Sequence, residues 1–124
     1  MSAKYDLLIV TRATPYSSAA ANEALDLALA AGTFEQSVGL LFSGDGVYQL
    51  KDNQSADALK QKHLNTMLKA LPLYGIPVIF VDQDSLEERA LDMKKDLNPE
   101  LAMERLSTPQ VSALYAQSKT VLHF

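Results

Sequence analysis

The sequence predicts an α/β protein, a three-layer α/β/α sandwich built around a mainly parallel sheet of about five strands. Short apolar runs alternate along the chain with longer segments of helical periodicity, which is typical of βαβ units. The predicted strands are continuous apolar runs, as in sheets that helices cover on both faces. The chain has 124 residues, 48% of them hydrophobic, which suits a single domain spanning residues 1–124.

The first strand and the first helix occupy the N-terminal quarter. Residues Tyr5 to Thr11 include four consecutive apolar residues and are predicted to form a buried strand. Ser17 or Ser18 can cap a helix that runs to about Ala31, and Gly32 is expected to end it. The apolar residues of this helix recur at helical spacing. They are Ala20, Ala24, Leu27, Ala28 and Ala31.

The middle of the chain predicts a strand, a loop, a helix and a third strand. Residues 37–42 form the second apolar strand, and residues 43–50 follow as a glycine-containing loop. A helix begins near Ser55 and ends at Pro72, because proline lacks the amide hydrogen that a helix needs. Its apolar stripe consists of Leu59, His63, Met67 and Leu71, with Leu64 and Leu68 beside it. Residues 76–81 form the third strand.

Two overlapping capping boxes follow the third strand. Asp84 with Glu87, or Ser85 with Glu88, satisfies the pattern and predicts a short helix that ends near Ala90.

The C-terminal segment predicts one more helix and one more strand. Residues 101–106 fit either a helix or an edge strand. Thr108 as the N-cap, followed by Pro109, predicts a last helix that runs to about Gln117. Residues 120–124 are expected to close the chain as a strand.

Composition excludes several classes of function. The net charge is −4, and acids dilute the lysines at Lys60, Lys62 and Lys69, so direct binding of nucleic acid is not expected. The absence of cysteine excludes disulfides, thiolate metal ligands and a persulfide carried on this chain. His63 and His123 have no partners at catalytic or metal-ligand spacing, so no catalytic residue, metal or cofactor is expected. Without a signal peptide or a membrane span, we expect a soluble cytoplasmic protein.

Candidate functional residues lie in three loops. Ligand sites of parallel sheets collect where loops leave the carboxyl ends of the strands, which selects residues 11–18, 43–50 and 82–85. The candidate interface or pocket residues are Arg12, Asp45, Gly46, Val47, Tyr48, Gln49, Asp82, Asp84 and Ser85.

Each candidate also has a purely structural interpretation. Gly44 and Gly46 let the backbone approach a ligand or a partner, with Asp45 as acceptor, or they only form a turn. Arg12 can meet a phosphate or a carboxylate of a neighbouring subunit, or it is a surface arginine. The acids of residues 82–88 suggest a magnesium site, whereas helix capping explains most of them without a metal.

Distinctive short strings occur along nearly the whole chain. They are Thr14-Pro15-Tyr16-Ser17-Ser18, Glu23-Ala24-Leu25-Asp26, Phe34-Glu35-Gln36-Ser37-Val38, Leu41-Phe42, Asp45-Gly46-Val47-Tyr48-Gln49-Leu50, Asp84-Ser85-Leu86-Glu87-Glu88-Arg89 and a hydrophobic end at Phe124. In order and spacing they resemble those of the DsrE/DsrF-like family and, within it, of the branch that contains TusC and DsrF.

The resemblance implies an α/β/α fold and favours a strand for residues 101–106. It also implies a heterohexamer with TusB-like and TusD-like subunits. That complex passes persulfide sulfur towards 2-thiouridine at tRNA wobble positions and contacts sulfur carrier proteins indirectly. In the related Dsr system the equivalent complex serves sulfur oxidation. The TusD-like subunit has its sulfur-accepting cysteine just after the third strand, at about Val81 or Asp82 here. Because the nucleophile of sulfur transfer is a thiolate, the resemblance implies a non-catalytic subunit.

Two positions depart from the family pattern. The family usually has glycine where this chain has Ala90, and its Pro-Tyr-Gly reads Pro-Tyr-Ser here at Ser17. A glycine at position 90 would serve a left-handed helix end. Alanine there either costs about 1 kcal/mol in that conformation or forces a different turn.

Two other functions are compatible with the sequence. One is a homo-oligomeric domain that holds a small ligand at the same three loops. The other is an enzyme that uses acids such as Asp45 and Asp82. The chain itself does not distinguish tRNA thiolation from sulfur oxidation, because that difference lies in its partners.

Overall fold

A five-stranded parallel sheet forms the centre of the fold. The structure, a computed structural model, describes residues 4–15, 19–51, 64 and 66–124. The strands are β1 (Tyr5–Thr11), β2 (Val38–Phe42), β3 (Ile79–Asp82), β4 (Met103–Leu106) and β5 (Ser118–His123). Their order across the sheet is β4-β3-β2-β1-β5, and every adjacent pair is parallel. The predicted α/β class and the strand at 101–106 are therefore confirmed.

Helices cover the two faces of the sheet unequally. Three α-helices lie wholly within the described residues: α1 (Ala20–Thr33), α2 (Gln83–Glu88) and α3 (Thr108–Ala116). Residues 66–70 are also helical, and 3-10 helices span Gly44–Leu50 and Leu71–Tyr74. Within the described part of the chain, no helix is long and apolar enough to cross a bilayer.

The alternation of side chains along β1 divides the core in two. Leu7 and Ile9 point to the face that α1 and α2 cover, hereafter the α1 face, where the larger cluster of buried residues lies. Leu8 and Val10 point to the opposite face, the α3 face, which packs on Leu114 of α3. The three-layer sandwich follows from this division.

Glycine 32 serves packing and does not end α1. The prediction that the helix stops there is wrong, since α1 continues to Thr33. A Cβ atom at Gly32 would lie 2.1 Å from the carbonyl oxygen of Tyr74, so only glycine lets the two segments approach this closely. At its other end α1 begins with Ala19 as the N-cap, and Ser17 and Ser18 lie outside the described residues.

The second predicted helix is described only in its C-terminal part. Leu59 and His63 lie outside the described residues. The remainder of the predicted stripe is buried on the α1 face, which confirms it: Leu64, Met67, Leu68 and Leu71. The α-helical residues end at Ala70, and Pro72 lies inside the 3-10 helix Leu71–Tyr74 that follows them directly.

Both predicted caps in the C-terminal half are wrong. Because α2 begins at Gln83, Asp84 and Ser85 lie inside it and their side chains bond to other elements. The N-cap of α3 is Ser107, one residue before the predicted Thr108, and Ser107 forms a capping box with Gln110.

Candidate functional site

The carboxyl ends of three neighbouring strands lie side by side. Thr11 pairs with Phe42, and Phe42 pairs with Val81, so the segments that follow β1, β2 and β3 leave the sheet at one edge. The three loops selected from the sequence are the segments at this edge, although residues 16–18 lie outside the described part. The structure therefore brings the described portions of all three together.

Residues 44–50, predicted as a loop, form a 3-10 helix packed on the end of β1. A Cβ atom at Gly46 would lie 2.1 Å from the carbonyl oxygen of Thr11, so a side chain at this position would collide with backbone. The same oxygen accepts a hydrogen bond of 3.1 Å from the backbone amide of Ser43. Gly46 therefore has a structural role, since its absent side chain lets this helix lie against β1.

Gln49 is a fully buried polar residue of this 3-10 helix. Its Nε2 donates to Oγ1 of Thr11 at 2.8 Å and to the carbonyl oxygen of Ala13 at 2.9 Å. Its Oε1 is buried and has no hydrogen-bond partner among the described residues. Val47 is likewise fully buried, whereas Tyr48 between them is half-buried. Val47 and Gln49 therefore shape this edge from inside.

Ser85 joins α2 to the segment after β2. Its hydroxyl accepts a hydrogen bond of 2.8 Å from the backbone amide of Gly44 and donates one of 2.5 Å to Oδ2 of Asp82. Because Ser85 is buried, these bonds fix the relative positions of the segments that follow β2 and β3.

Arg89 is a member of this site that was not among the residues selected from the sequence. Its Nε and one terminal nitrogen each lie 3.0 Å from Oδ1 of Asp45, and its other terminal nitrogen donates to the carbonyl oxygen of Ser85 at 3.1 Å. It stands just past the end of α2, outside the three loops. The sequence feature that pointed to Arg89 was its position as the last residue of the family string that begins at Asp84.

Ala90, next to Arg89, has a left-handed backbone with φ +53°. The chain thus keeps the conformation that a glycine would adopt more easily, and the alternative of a different turn is wrong. The backbone amide of Leu91 donates to the carbonyl oxygen of Leu86 at 2.9 Å, which closes the end of α2.

The two remaining candidates lie at the outer surface. Asp84 is exposed, and its Oδ2 accepts a hydrogen bond of 2.7 Å from Oγ1 of Thr108, at the start of α3. Arg12 is exposed, and its guanidinium lies over Gly44. The Arg12 side chain makes no hydrogen bond or ion pair with any described residue.

The acids of this edge are engaged as structural acceptors. Asp82 accepts the Ser85 hydroxyl, and Asp45 faces Arg89. Among the described residues, no group of three or more metal-ligating side chains could hold an ion. Beyond α2, the backbone amides of Lys95 and Lys94 donate to the Asp92 carboxylate and hold its pKa below the usual range. These contacts hold the segments of the carboxyl edge together.

A sequence model described as the DsrE/DsrF-like family matches residues 6–124. The chain belongs to the DsrE/DsrF-like family. This confirms the resemblance drawn from the short strings.

Curated members of the family are similar to most of the chain. A protein named TusC homolog from Pseudomonas aeruginosa is 47% identical over 85 residues, which cover 68% of this chain and 71% of that protein. Another TusC homolog, from Vibrio parahaemolyticus, is 36% identical over 95% of this chain and 98% of its own length. The intracellular sulfur oxidation protein DsrF from Allochromatium vinosum is 32% identical over 94% of both chains. These relatives agree with the TusC/DsrF branch.

One solved structure in the comparison has the same fold. The crystal structure of the ychN protein from E. coli aligns with a TM-score of 0.74, covering 97% of this chain and 99% of that chain. At 17% sequence identity this likeness shows the fold alone.

Proposed function

We propose that this chain is a non-catalytic subunit of a cytoplasmic sulfur-relay complex of the TusBCD or DsrEFH type. A cysteine-bearing partner subunit carries the persulfide, and this chain holds that partner in place. The names TusC and DsrF of the curated relatives support a sulfur-relay subunit role. The finer role rests on the position where the family's sulfur-accepting subunit has its cysteine.

That position, at the carboxyl end of β3, has no thiol in this chain. It corresponds to Val81 or Asp82, and the whole chain has no cysteine. The Asp82 carboxylate accepts the Ser85 hydroxyl at 2.5 Å and so helps to fix the start of α2. A carboxylate cannot form a persulfide, because sulfur transfer proceeds through attack of a thiolate. This replacement of a reactive group by a structural one is the observation that carries the proposal.

The proposed partners are TusB-like and TusD-like subunits in a heterohexamer. The contact residues we propose at the carboxyl edge are the exposed Arg12, Asp45 and Asp84 and the half-buried Tyr48. Gly46, Val47, Gln49 and Ser85 support them from the interior. The product of the relay is 2-thiouridine at tRNA wobble positions, and this chain makes no direct contact with nucleic acid. A DsrF-like role in sulfur oxidation would use the same subunit contacts with a different downstream acceptor.

A second candidate is a stand-alone homo-oligomeric domain that binds a small ligand. The buried Oε1 of Gln49, which has no partner in the described part of the chain, favours it because a ligand could supply the missing donor.

Mass measurement under native conditions distinguishes the two candidates. The chain is measured alone and after co-expression with the TusB-like and TusD-like chains of the same organism. A hexamer-sized species that contains all three chains supports the relay role. A homo-oligomer that ignores both partners and retains a small molecule contradicts it and favours the second candidate.

A further inference from the structure

The open edge of β4 lies between two grooves on opposite faces of the sheet. Within the described residues β4 pairs with β3 alone, so its other edge presents unpaired backbone donors and acceptors. Met103 and Arg105 point to the α1 face, and Glu104 and Leu106 point to the α3 face.

The groove on the α1 face combines an apolar floor with charged side chains of both signs. It has a volume of about 810 Å³. Leu86, Leu91, Leu101 and Met103 form the floor. Arg105 and Lys94 also line it. Lys94 acts on the Asp92 carboxylate, whereas the Arg105 side chain makes no ion pair or hydrogen bond with any described residue. The two carboxylates of the groove have other donors, since Asp92 accepts backbone amides and Glu87 accepts from Gln83. A carboxylate on an incoming molecule would therefore pair with Arg105.

The groove on the α3 face is smaller and has the opposite requirement. It has a volume of about 160 Å³ and is lined by Phe80, Leu106 and Leu114 among others. Glu104 lies on its rim and forms no ion pair with any described residue. Lys4 also lines this groove, but it lies over the ring of Tyr5 and does not pair with Glu104, so a cation on the incoming molecule would do so.

We propose that the β4 edge receives an extended strand from a different protein chain. Successive side chains of a strand point to opposite faces, so one added strand fills both grooves at once, which a compact ligand on one face cannot do. The strand that fits has an acidic residue opposite Arg105, an adjacent basic residue opposite Glu104, and apolar residues on either side.

A second copy of this chain does not meet those requirements. A symmetric antiparallel pair of β4 strands places some residue opposite its own copy. The two registers centred on the charged residues put Glu104 opposite Glu104, or Arg105 opposite Arg105. Like charges directly opposite each other destabilise a strand pair. Registers centred on Met103 or Leu106 avoid this repulsion, but they place no acid opposite Arg105 and no base opposite Glu104. No symmetric pair therefore meets both requirements, which favours another chain.

This inference rests on the proposed function, because the partner chains of the sulfur-relay complex are the source of the strand. The experiment uses the co-expressed complex. The photoreactive amino acid p-benzoylphenylalanine is placed at Arg105, and, as a control, at Lys119 on β5, the opposite edge of the sheet. We expect irradiation to link position 105 to a partner chain, at a segment with adjacent acidic and basic residues, and position 119 to give no such product.

Charge reversal gives a second, independent readout. Arg105→Glu is expected to weaken association with the partners about five- to tenfold, whereas Arg105→Lys retains it. Lys119→Glu is the matched control and should leave affinity unchanged, since its contact with Asp6 at 3.9 Å is between exposed groups. Arg105 is exposed, so its variants should keep the melting temperature of the isolated chain.

Three results would overturn the inference. The first is a complex that forms although position 105 gives no link to a partner and Arg105→Glu assembles normally. The second is a link from position 105 to a second copy of this chain. The third is that no complex forms with either partner. That result contradicts the proposed function together with the inference, whereas the first two contradict the inference alone.

Discussion

Ala90 holds a backbone conformation that alanine adopts only at a cost. Its φ is +53°, and the left-handed region costs a residue with a Cβ atom about 1–2 kcal/mol relative to its ordinary conformations. Glycine has no such cost, but a glycine variant loses about 0.4–1 kcal/mol of stability because glycine gives the unfolded chain more conformational freedom. Ala90 is exposed, so the substitution removes no buried contact. Ala90→Gly should therefore raise the free energy of unfolding by about 0.5–1 kcal/mol.

Urea unfolding of the isolated chain, followed by circular dichroism, measures this change. For a domain of this size the increase corresponds to a rise in melting temperature of about 2–4 °C. Ala30→Gly is the matched control, because Ala30 is an exposed alanine inside α1. That variant should lose about 1 kcal/mol, the ordinary cost of glycine inside a helix. If Ala90→Gly destabilises the chain as much as Ala30→Gly does, the reasoning from the backbone conformation is refuted.

Three further predictions concern the carboxyl edge and the segment after α2. Gly46→Ala should lower the free energy of unfolding by about 2–3 kcal/mol in thermal unfolding, because its Cβ would lie 2.1 Å from the Thr11 carbonyl oxygen; an unchanged stability would contradict that packing. Gln49→Ala should destabilise the isolated chain by about 2–4 kcal/mol, whereas Tyr48→Ala should mainly weaken association with partners; equal stability of the two variants in urea would count against this division. Finally, backbone amides lower the pKa of Asp92 in the folded state. Asp92 therefore stabilises the fold at pH values above its unfolded-state pKa, and this contribution is lost as pH falls through its folded-state pKa. The stability difference between the native chain and Asp92→Ala should thus shrink in acid, and a difference constant with pH would refute that cause.

The strands, most of the helices and the parallel sheet followed from local patterns. Continuous apolar runs identify buried parallel strands, and the βαβ rule then places their carboxyl ends together. The same rule led to the edge where Asp45, Asp82 and Ser85 meet. These features depend on neighbours in sequence and on general chain geometry, so they can be predicted.

The features that the sequence did not reveal depend on partners far along the chain. Gly32 has the pattern of a helix end, but its role is set by the Tyr74 carbonyl. Asp84 and Ser85 fit a capping box, yet Thr108 and the amide of Gly44 provide their partners. Local spacing could not separate the buried Gln49 from surface residues either, because burial depends on how the 3-10 helix packs on β1.

The central claim is that this chain supports sulfur transfer without carrying sulfur. The most direct test is the intact mass of every subunit in a reconstituted relay, measured under non-reducing conditions after supply of persulfide sulfur. We predict one added sulfur atom on the cysteine-bearing partner, an unchanged mass for this chain, and a large fall in partner loading when this chain is omitted. Sulfur on this chain, or partner loading that is indifferent to its omission, would contradict the account.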